Sequence, residues 1–180
     1  MNGSPTLELT KLYEEYKDMV YRVCLRFKKG DSDWAADRMQ EVFLKLTEKW
    51  NDLPEISNYK AFIYRITVNT CINHLRREKK LIEIFTKFFL EDTQIDSVRG
   101  VQIKTPEHSG ADSEALHKID RALSLLPPKQ RAVVIMYYFE DIDIPAIAEI
   151  LQVNKGTVSR RLKSARQKLA EILNEEEFNK

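Results

Sequence analysis

Glycine and cysteine are both scarce in this chain, five and two among 180 residues. With so few glycines there is no glycine-rich loop to cradle a phosphate, and alternating β-branched runs are nearly absent, which argues against a sheet. The cysteines, Cys24 and Cys71, each fall inside an apolar helical pattern. They read as buried thiols of a reducing compartment rather than a disulfide framework. Cys71 and His74 have a C-x-x-H spacing, but no second pair stands nearby to complete a metal site. His74, His108 and His117 are scattered, and no Ser/His/Asp set appears. Nothing catalytic, no metal and no cofactor is therefore expected, and the chain does not read as an enzyme. No apolar run approaches membrane-spanning length, and the start, MNGSPTLEL, has no basic segment followed by an apolar core. The expectation is a cytoplasmic protein without membrane insertion.

Charge is plentiful but segregated. The formal net charge is only +1. Between Lys60 and Lys80, however, Lys60, Arg65, Arg76, Arg77, Lys79 and Lys80 face a single acid, Glu78. From Glu91 to Glu114 acids lead, and the tail after Leu173 is acidic as well. Two basic patches separated by an acidic stretch suggest two points of contact with nucleic acid.

Nearly every apolar residue recurs at helical spacing, so the expected fold is all-α. A first helix runs from Thr6 to Lys28 and is broken at Gly30 and Asp31. Ser32 or Asp33 can cap a second, running through Ala35, Val42, Leu46 and Trp50. A loop over Asn51 to Asn58 leads to a third helix, from about Tyr59 to Lys80. The segment Leu81 to Leu90 either extends that helix or forms its own, and it is too apolar to lie bare. From Glu91 the chain turns polar and aperiodic, with Gly100, Pro106 and Gly110, as a flexible linker would. The division expected is one small helical domain over 1–90, a linker over 91–112 and a second helical domain over 113–180. In the second, a helix ends at LLPPKQ and another spans Lys129 to Phe139.

The stretch from Asp143 to Leu169 reads as two helices joined by a tight turn at Gln152, Val153 and Asn154. Asp143 and Asn154 are the N-caps. Small Ala148 lets the helices cross closely, as a helix-turn-helix requires. The second helix carries Lys155, Arg160, Arg161, Lys163, Arg166 and Lys168 and no acid before Glu171, with Thr157 and Ser159 near its start. An exposed helix usually mixes signs, so a helix of one sign points to DNA: its N-terminal residues reach base edges while Lys and Arg neutralise phosphates.

With the elements in this order, the chain resembles bacterial RNA polymerase sigma factors of the extracytoplasmic-function group. The resemblance covers about Leu9 to Lys80 and Ala115 to Leu173. In the C-terminal half it rests on Leu126-Pro127, Arg131, Ile147-Ala148, Gly156-Thr157-Val158, Arg161-Leu162 and Ala165-Arg166. In the N-terminal half, ADRMQEVFLKL resembles the helix that docks on the polymerase clamp, and NYKAFIYRITVNTCINHLRREKK the helix that opens the minus-ten element. The resemblance implies a transcription initiation factor that binds core RNA polymerase and directs it to promoters. Asp37, Gln40, Glu41 and Lys45 would contact the polymerase through its β′ clamp helices. Asn58, Tyr59, Lys60, Arg65, Asn69, Asn73, Arg76 and Arg77 would bind the minus-ten element. Lys155, Thr157, Ser159, Arg160, Arg161, Lys163 and Arg166 would bind the minus-35 element, next to the β flap. It also implies promoter DNA and an anti-sigma factor as partners.

The loop Trp50 to Tyr59 would capture a flipped base, with Tyr59, Phe62 and Tyr64 as candidate stacking walls. At up to ~3.4 Å per residue, the linker can span two promoter elements on the order of 50 Å apart. The chain departs from the family where Phe62 replaces Trp, Arg38 an apolar residue, Asn73 an Asp, and Gln152 the turn glycine. A dimeric helix-turn-helix regulator explains Asp143 to Leu169 equally well, but it leaves Asp37 to Leu46 and the basic third helix without a role. A regulator of the same shape that does not bind DNA is opposed by the basic recognition helix.

Overall fold

The structure, a computed structural model, describes residues 5–49, 56–91 and 111–178. Among the described residues every regular element is helical: α1 (Pro5–Phe27), α2 (Ser32–Glu48), α3 (Tyr59–Glu91), α4 (Ala111–Leu125), α5 (Pro128–Val134), α6 (Ile144–Leu151) and α7 (Lys155–Phe178). A π-helical turn, Ile135–Phe139, continues α5. Most of the expected linker and the loop residues 50–55 lie outside the described residues.

Local chemistry fixes the helix ends. Lys29 and Gly30 turn to positive φ after α1, and the Gly30 N–H donates back to the Leu25 carbonyl at 3.0 Å. The cap of α2 is Asp31, whose carboxylate accepts from Trp34 N–H at 2.9 Å, rather than Ser32 or Asp33 as the sequence suggested. Asn58 does the same for α3, accepting from Ala61 N–H at 3.0 Å. Pro128 opens α5 at a position where a missing N–H costs nothing. Helix α3 does not stop at Lys80: it runs unbroken through the apolar segment to Glu91. Leu81 and Ile82 stand 55% and 63% exposed, while the side chains of 84–90, the rest of the apolar segment, lie outside the described residues.

Helices α1, α2 and α3 pack on one another and bury Val20, Val23, Cys24, Phe27, Ala35, Val42, Leu46, Ile63, Val68 and Cys71 completely. Both cysteines are free thiols, with sulfurs 3.7 Å apart. The buried hydroxyl of Thr67 donates to the Ile63 carbonyl at 2.8 Å, and that of Thr70 accepts from Lys45 Nζ at 3.0 Å. The second cluster, from α4 to α7, encloses Leu123, Val133, Ile135, Met136, Ile147, Val158, Leu162 and Ala165. Each set recurs every three or four residues along its helix, which is what an amphipathic helix buries.

The two clusters meet where α1 and α3 pack against α4, α5 and α6. Arg131, 5% exposed, donates from one terminal nitrogen to the Phe27 carbonyl at the end of α1. Its other terminal nitrogen serves the Ser124 and Leu126 carbonyls at the end of α4. Burial lowers the guanidinium from its ordinary range to about 10, so it is still charged at neutral pH. A second link is Glu140, whose side chain is only 6% exposed. Its carboxylate accepts from the Tyr64 hydroxyl at 2.6 Å and from Arg22 at 3.3 Å. Burial, with the hydrogen bond and charge of Glu140, raises the Tyr64 phenol well above its usual range. Arg26 lies over the Phe139 ring at 4.1 Å and reaches Asp120 at 3.4 Å.

Truncating Arg131 strips three carbonyls of their donor. Arg131→Ala is expected to cost about 3 kcal/mol in chemical denaturation, because buried acceptors left unpaired lose their full desolvation energy. A change below about 0.5 kcal/mol would show that water replaces the guanidinium without loss.

Candidate nucleic-acid interface

The helix-turn-helix forms as its caps dictate. Asp143 accepts from Ala146 N–H at 2.8 Å to start α6, and Asn154 accepts from Thr157 N–H at 2.7 Å to start α7. Between them Gln152 adopts the left-handed conformation (φ 53°, ψ 47°), and Val153 N–H returns to the Ala148 carbonyl at 3.0 Å. Ala148 is buried at the crossing, so a short side chain sets the approach of the two helices. Val158, Leu162 and Ala165 anchor α7 on the core.

That anchoring decides which basic residues are presented. Lys155, Ser159, Arg160, Lys163 and Arg166 are exposed. Thr157 is half-buried, its hydroxyl bonded to Asn154 Oδ1 at 2.9 Å and accepting from Arg160 at 3.4 Å. Arg161 is also half-buried, on the flank of the core stripe, and burial lowers its guanidinium below the ordinary value. The open face therefore comprises Lys155, Ser159, Arg160, Lys163 and Arg166, with Thr157 and Arg161 turned toward the body. Gln130 Nε2 donates to Ser164 Oγ at 2.9 Å and ties α5 to the middle of α7.

On α3, Asn69, Asn73, Arg76 and Arg77 are all exposed, and the spacing of Asn69, Asn73 and Arg76 keeps them on one face. The helix start is different. Asn58 spends its side chain on the cap, and Arg65 lies over the Phe62 ring at 5.2 Å. Tyr59 is half-buried and Lys60 exposed. Ile56, Ser57, Asn58, Ala61, Phe62 and Arg65 share an open cleft with Glu149, Ile150 and Gln152 at the end of α6. The start of α3 thus faces the second cluster, whereas its middle faces outward. In this arrangement Tyr64 offers no open stacking wall, against the expectation from the sequence: it is 2% exposed and its hydroxyl is bound to Glu140.

On α2, Asp37 and Gln40 are exposed. Glu41 and Lys45 are half-buried in a network instead. Glu41 accepts from Lys45 Nζ at 2.7 Å and meets His74 Nε2 at 2.6 Å. Partial burial alone would raise the Glu41 carboxyl; the bonds and charges of Lys45 and His74 bring it below its ordinary value. Arg38 also contacts the His74 ring and lies 3.6 Å from Glu41, with its guanidinium 5.7 Å over Trp34. The unusual arginine in this stretch is therefore an α2–α3 tie. His74 belongs to that tie; among the described residues no group of three or more His, Cys, Asp or Glu side chains is placed to hold a metal. No described helix is long and apolar enough to cross a membrane.

Sequence reasoning missed Tyr138. It is 52% exposed on the π-helical turn, and its hydroxyl accepts from Arg166 Nε at 2.7 Å. The two residues sit on different helices, and only the exposure of a tyrosine in an otherwise apolar helix could have signalled it.

Comparison with known proteins gives a consistent picture. A family model described as sigma-70 region 2 matches residues 12–81, and one described as sigma-70, region 4, matches residues 116–169. RNA polymerase sigma factor SigV of Bacillus subtilis is 30% identical over 148 residues, covering 82% of this chain and 80% of that protein. The ECF RNA polymerase sigma factor SigW of the same organism is 26% identical over 166 residues, covering 88% and 84%. Among solved structures, the sigma factor RpoE in complex with the anti-sigma factor NepR from Bartonella quintana superimposes with a TM-score of 0.64. Its identity is 20%, over 93% of this chain and 97% of that one. CnrH in complex with the cytosolic domain of CnrY gives 0.62 at 18% identity, over 92% and 87%. These last two likenesses speak for the fold.

Gln152 pays a steric cost for its left-handed conformation that glycine would not. Gln152→Gly is expected to stabilise the protein by about 0.5–1 kcal/mol, after allowing for the freer unfolded chain. Denaturant titration reads it, and a loss of stability would mean that the Gln152 side chain contributes more than its backbone costs.

Proposed function

The chain belongs to the extracytoplasmic-function group of the sigma-70 family of RNA polymerase sigma factors, and from that premise we propose how its surfaces divide the work of starting transcription. As a member it is a transcription initiation factor that directs core RNA polymerase to promoters, and this is a binding role with no catalytic step. The domains we assign are 1–90 for polymerase docking and the minus-ten element, and 113–180 for the minus-35 element, with 91–112 between them.

The observation that carries the reading is the α7 face: Lys155, Ser159, Arg160, Lys163 and Arg166 exposed together on a capped helix-turn-helix, in one chain with the region 2 helices. The N-terminal residues of α7 enter the major groove of the minus-35 element, and the later ones neutralise phosphates. The outward face of α3 meets the minus-ten element, with Asn69 and Asn73 near bases and Arg76 and Arg77 on the backbone. Lys60, Tyr59 and the cleft residues Asn58 and Arg65 join them once α6 has moved aside. Asp37 and Gln40 supply the open polymerase contact on α2, while Glu41 and Lys45 hold its shape and meet polymerase with their remaining edges. A stand-alone dimeric regulator is not favoured, because it gives α1 to α3 no task.

Run-off transcription with purified core polymerase and a pool of host promoters tests the reading. Promoter-specific transcripts that depend on this protein are expected, and they will define its promoter elements. No transcript, no co-migration with core polymerase and tight dimeric binding to a palindrome would replace the reading with the dimeric regulator.

The sigma factor RpoE carries the anti-sigma factor NepR, and CnrH the cytosolic domain of CnrY; we assign an anti-sigma partner here as well. The exposed Leu81 and Ile82 at the far part of α3 suit a partner's apolar side chains. Hydrogen exchange at residues 81–90 is expected to slow several-fold on binding, as docked helices do. Equal exchange in the free and bound states would remove this segment from the interface.

A further inference from the structure

We propose that Tyr138 and Arg166 together form a preassembled phosphate clamp beside the recognition helix, with Tyr138 as the positioning residue. The inference rests on the minus-35 reading and adds to it a residue from outside the helix-turn-helix. Arg166 Nε donates to the Tyr138 hydroxyl at 2.7 Å, and the guanidinium carbon lies 5.7 Å from the centre of the tyrosine ring. The ring is itself held, edge to face with Tyr137 at 4.9 Å between centroids. A long exposed arginine is thereby fixed in one orientation before any ligand arrives, which removes part of the ordering cost of binding.

The hydrogen-bond inventory gives the ligand class. With Nε committed to the phenol oxygen, the outer nitrogens of Arg166 have no other partner among the described residues. The tyrosine oxygen accepts one bond and keeps its own hydrogen to donate. The planar guanidinium, with its outer donors held in one orientation by the tyrosine, is a pattern made for the oxygens of a phosphodiester.

Position excludes a base edge. Recognition helices present their N-terminal residues to bases, and Arg166 lies about three turns into α7. Tyr138 lies outside α7 altogether, on the π-helical turn that continues α5. There the groove has opened and the strand backbone is what remains within reach.

The test is a double-mutant cycle read by binding of the full chain to two duplexes. One carries the minus-35 element defined by run-off transcripts, and the other a scrambled sequence. Arg166→Ala is expected to weaken both by about tenfold and to lower the salt-dependence slope by about 1, as loss of one phosphate contact does. Tyr138→Phe keeps the ring and removes only the hydroxyl; about a threefold loss on both duplexes is expected. The double variant should bind no worse than Arg166→Ala alone, because the tyrosine acts through the arginine. Arg166→Lys, which keeps the charge but not the fork, should lose most of the Tyr138 effect as well.

Losses that simply multiply, no effect of Tyr138→Phe, or an effect confined to the specific duplex would each overturn the clamp. Arg160→Ala separates this from the wider reading. If it weakens specific binding while Tyr138→Phe does nothing, the clamp fails and the minus-35 assignment stands. If neither variant changes binding, both fall.

Discussion

A single buried guanidinium holds the architecture together. Arg131 gathers the carbonyls that end α1 and α4, the two places where a helix of each cluster runs out of its own hydrogen-bond partners. The double proline after Leu126 forces the turn that exposes the α4 carbonyls, and Arg131, midway along the short helix α5, fills them. Desolvating a charge is expensive, and a residue that satisfies three backbone acceptors at once recovers that cost only in one geometry. The seat of the helix-turn-helix on α5, and with it the aim of α7, follows from that geometry.

The same contact joins the part that matches sigma-70 region 2 to the part that matches region 4. Glu140 repeats the arrangement from the other side, binding Tyr64 and Arg22 from the end of the π-helical turn. While these ties are made, the end of α6 shares a cleft with the start of α3, and the side of α3 that carries Asn69, Asn73 and Arg76 faces outward. The apolar residues of both clusters form one continuous core around these ties, so parting them gives up apolar contact as well as polar bonds.

What was legible in the sequence was the information carried over short distances. Asp143 and Asn154 act on backbone three residues away, and the apolar stripes of α1 to α3 and α5 to α7 repeat within a turn. Fold class, helix order and the basic face of α7 followed from these. The cap of α2 was misplaced by one or two residues, because Asp31, Ser32 and Asp33 all have capping chemistry and only backbone geometry chooses among them. Interactions across long separations were not legible. Tyr64 looked like a stacking wall until Glu140, 76 residues away, was seen to take its hydroxyl. Arg38 looked like a misfit until His74 and Glu41 supplied partners, and Arg161 looked as open as Arg160 until α7 was seated on its core. The division into domains rests on composition and on the family likeness, since the expected linker lies mostly outside the described residues.

The most direct test of this account is the distance between the two clusters in the free and the working protein. Donor and acceptor dyes placed at Glu48→Cys on α2 and Glu171→Cys on α7 sit on exposed positions, while the native Cys24 and Cys71 are buried from the label. Energy transfer should be high in the free protein and fall sharply when it is assembled with core polymerase on promoter DNA. Equal transfer in the two states would contradict the idea that ties at Arg131 and Glu140 close the molecule and promoter binding opens it.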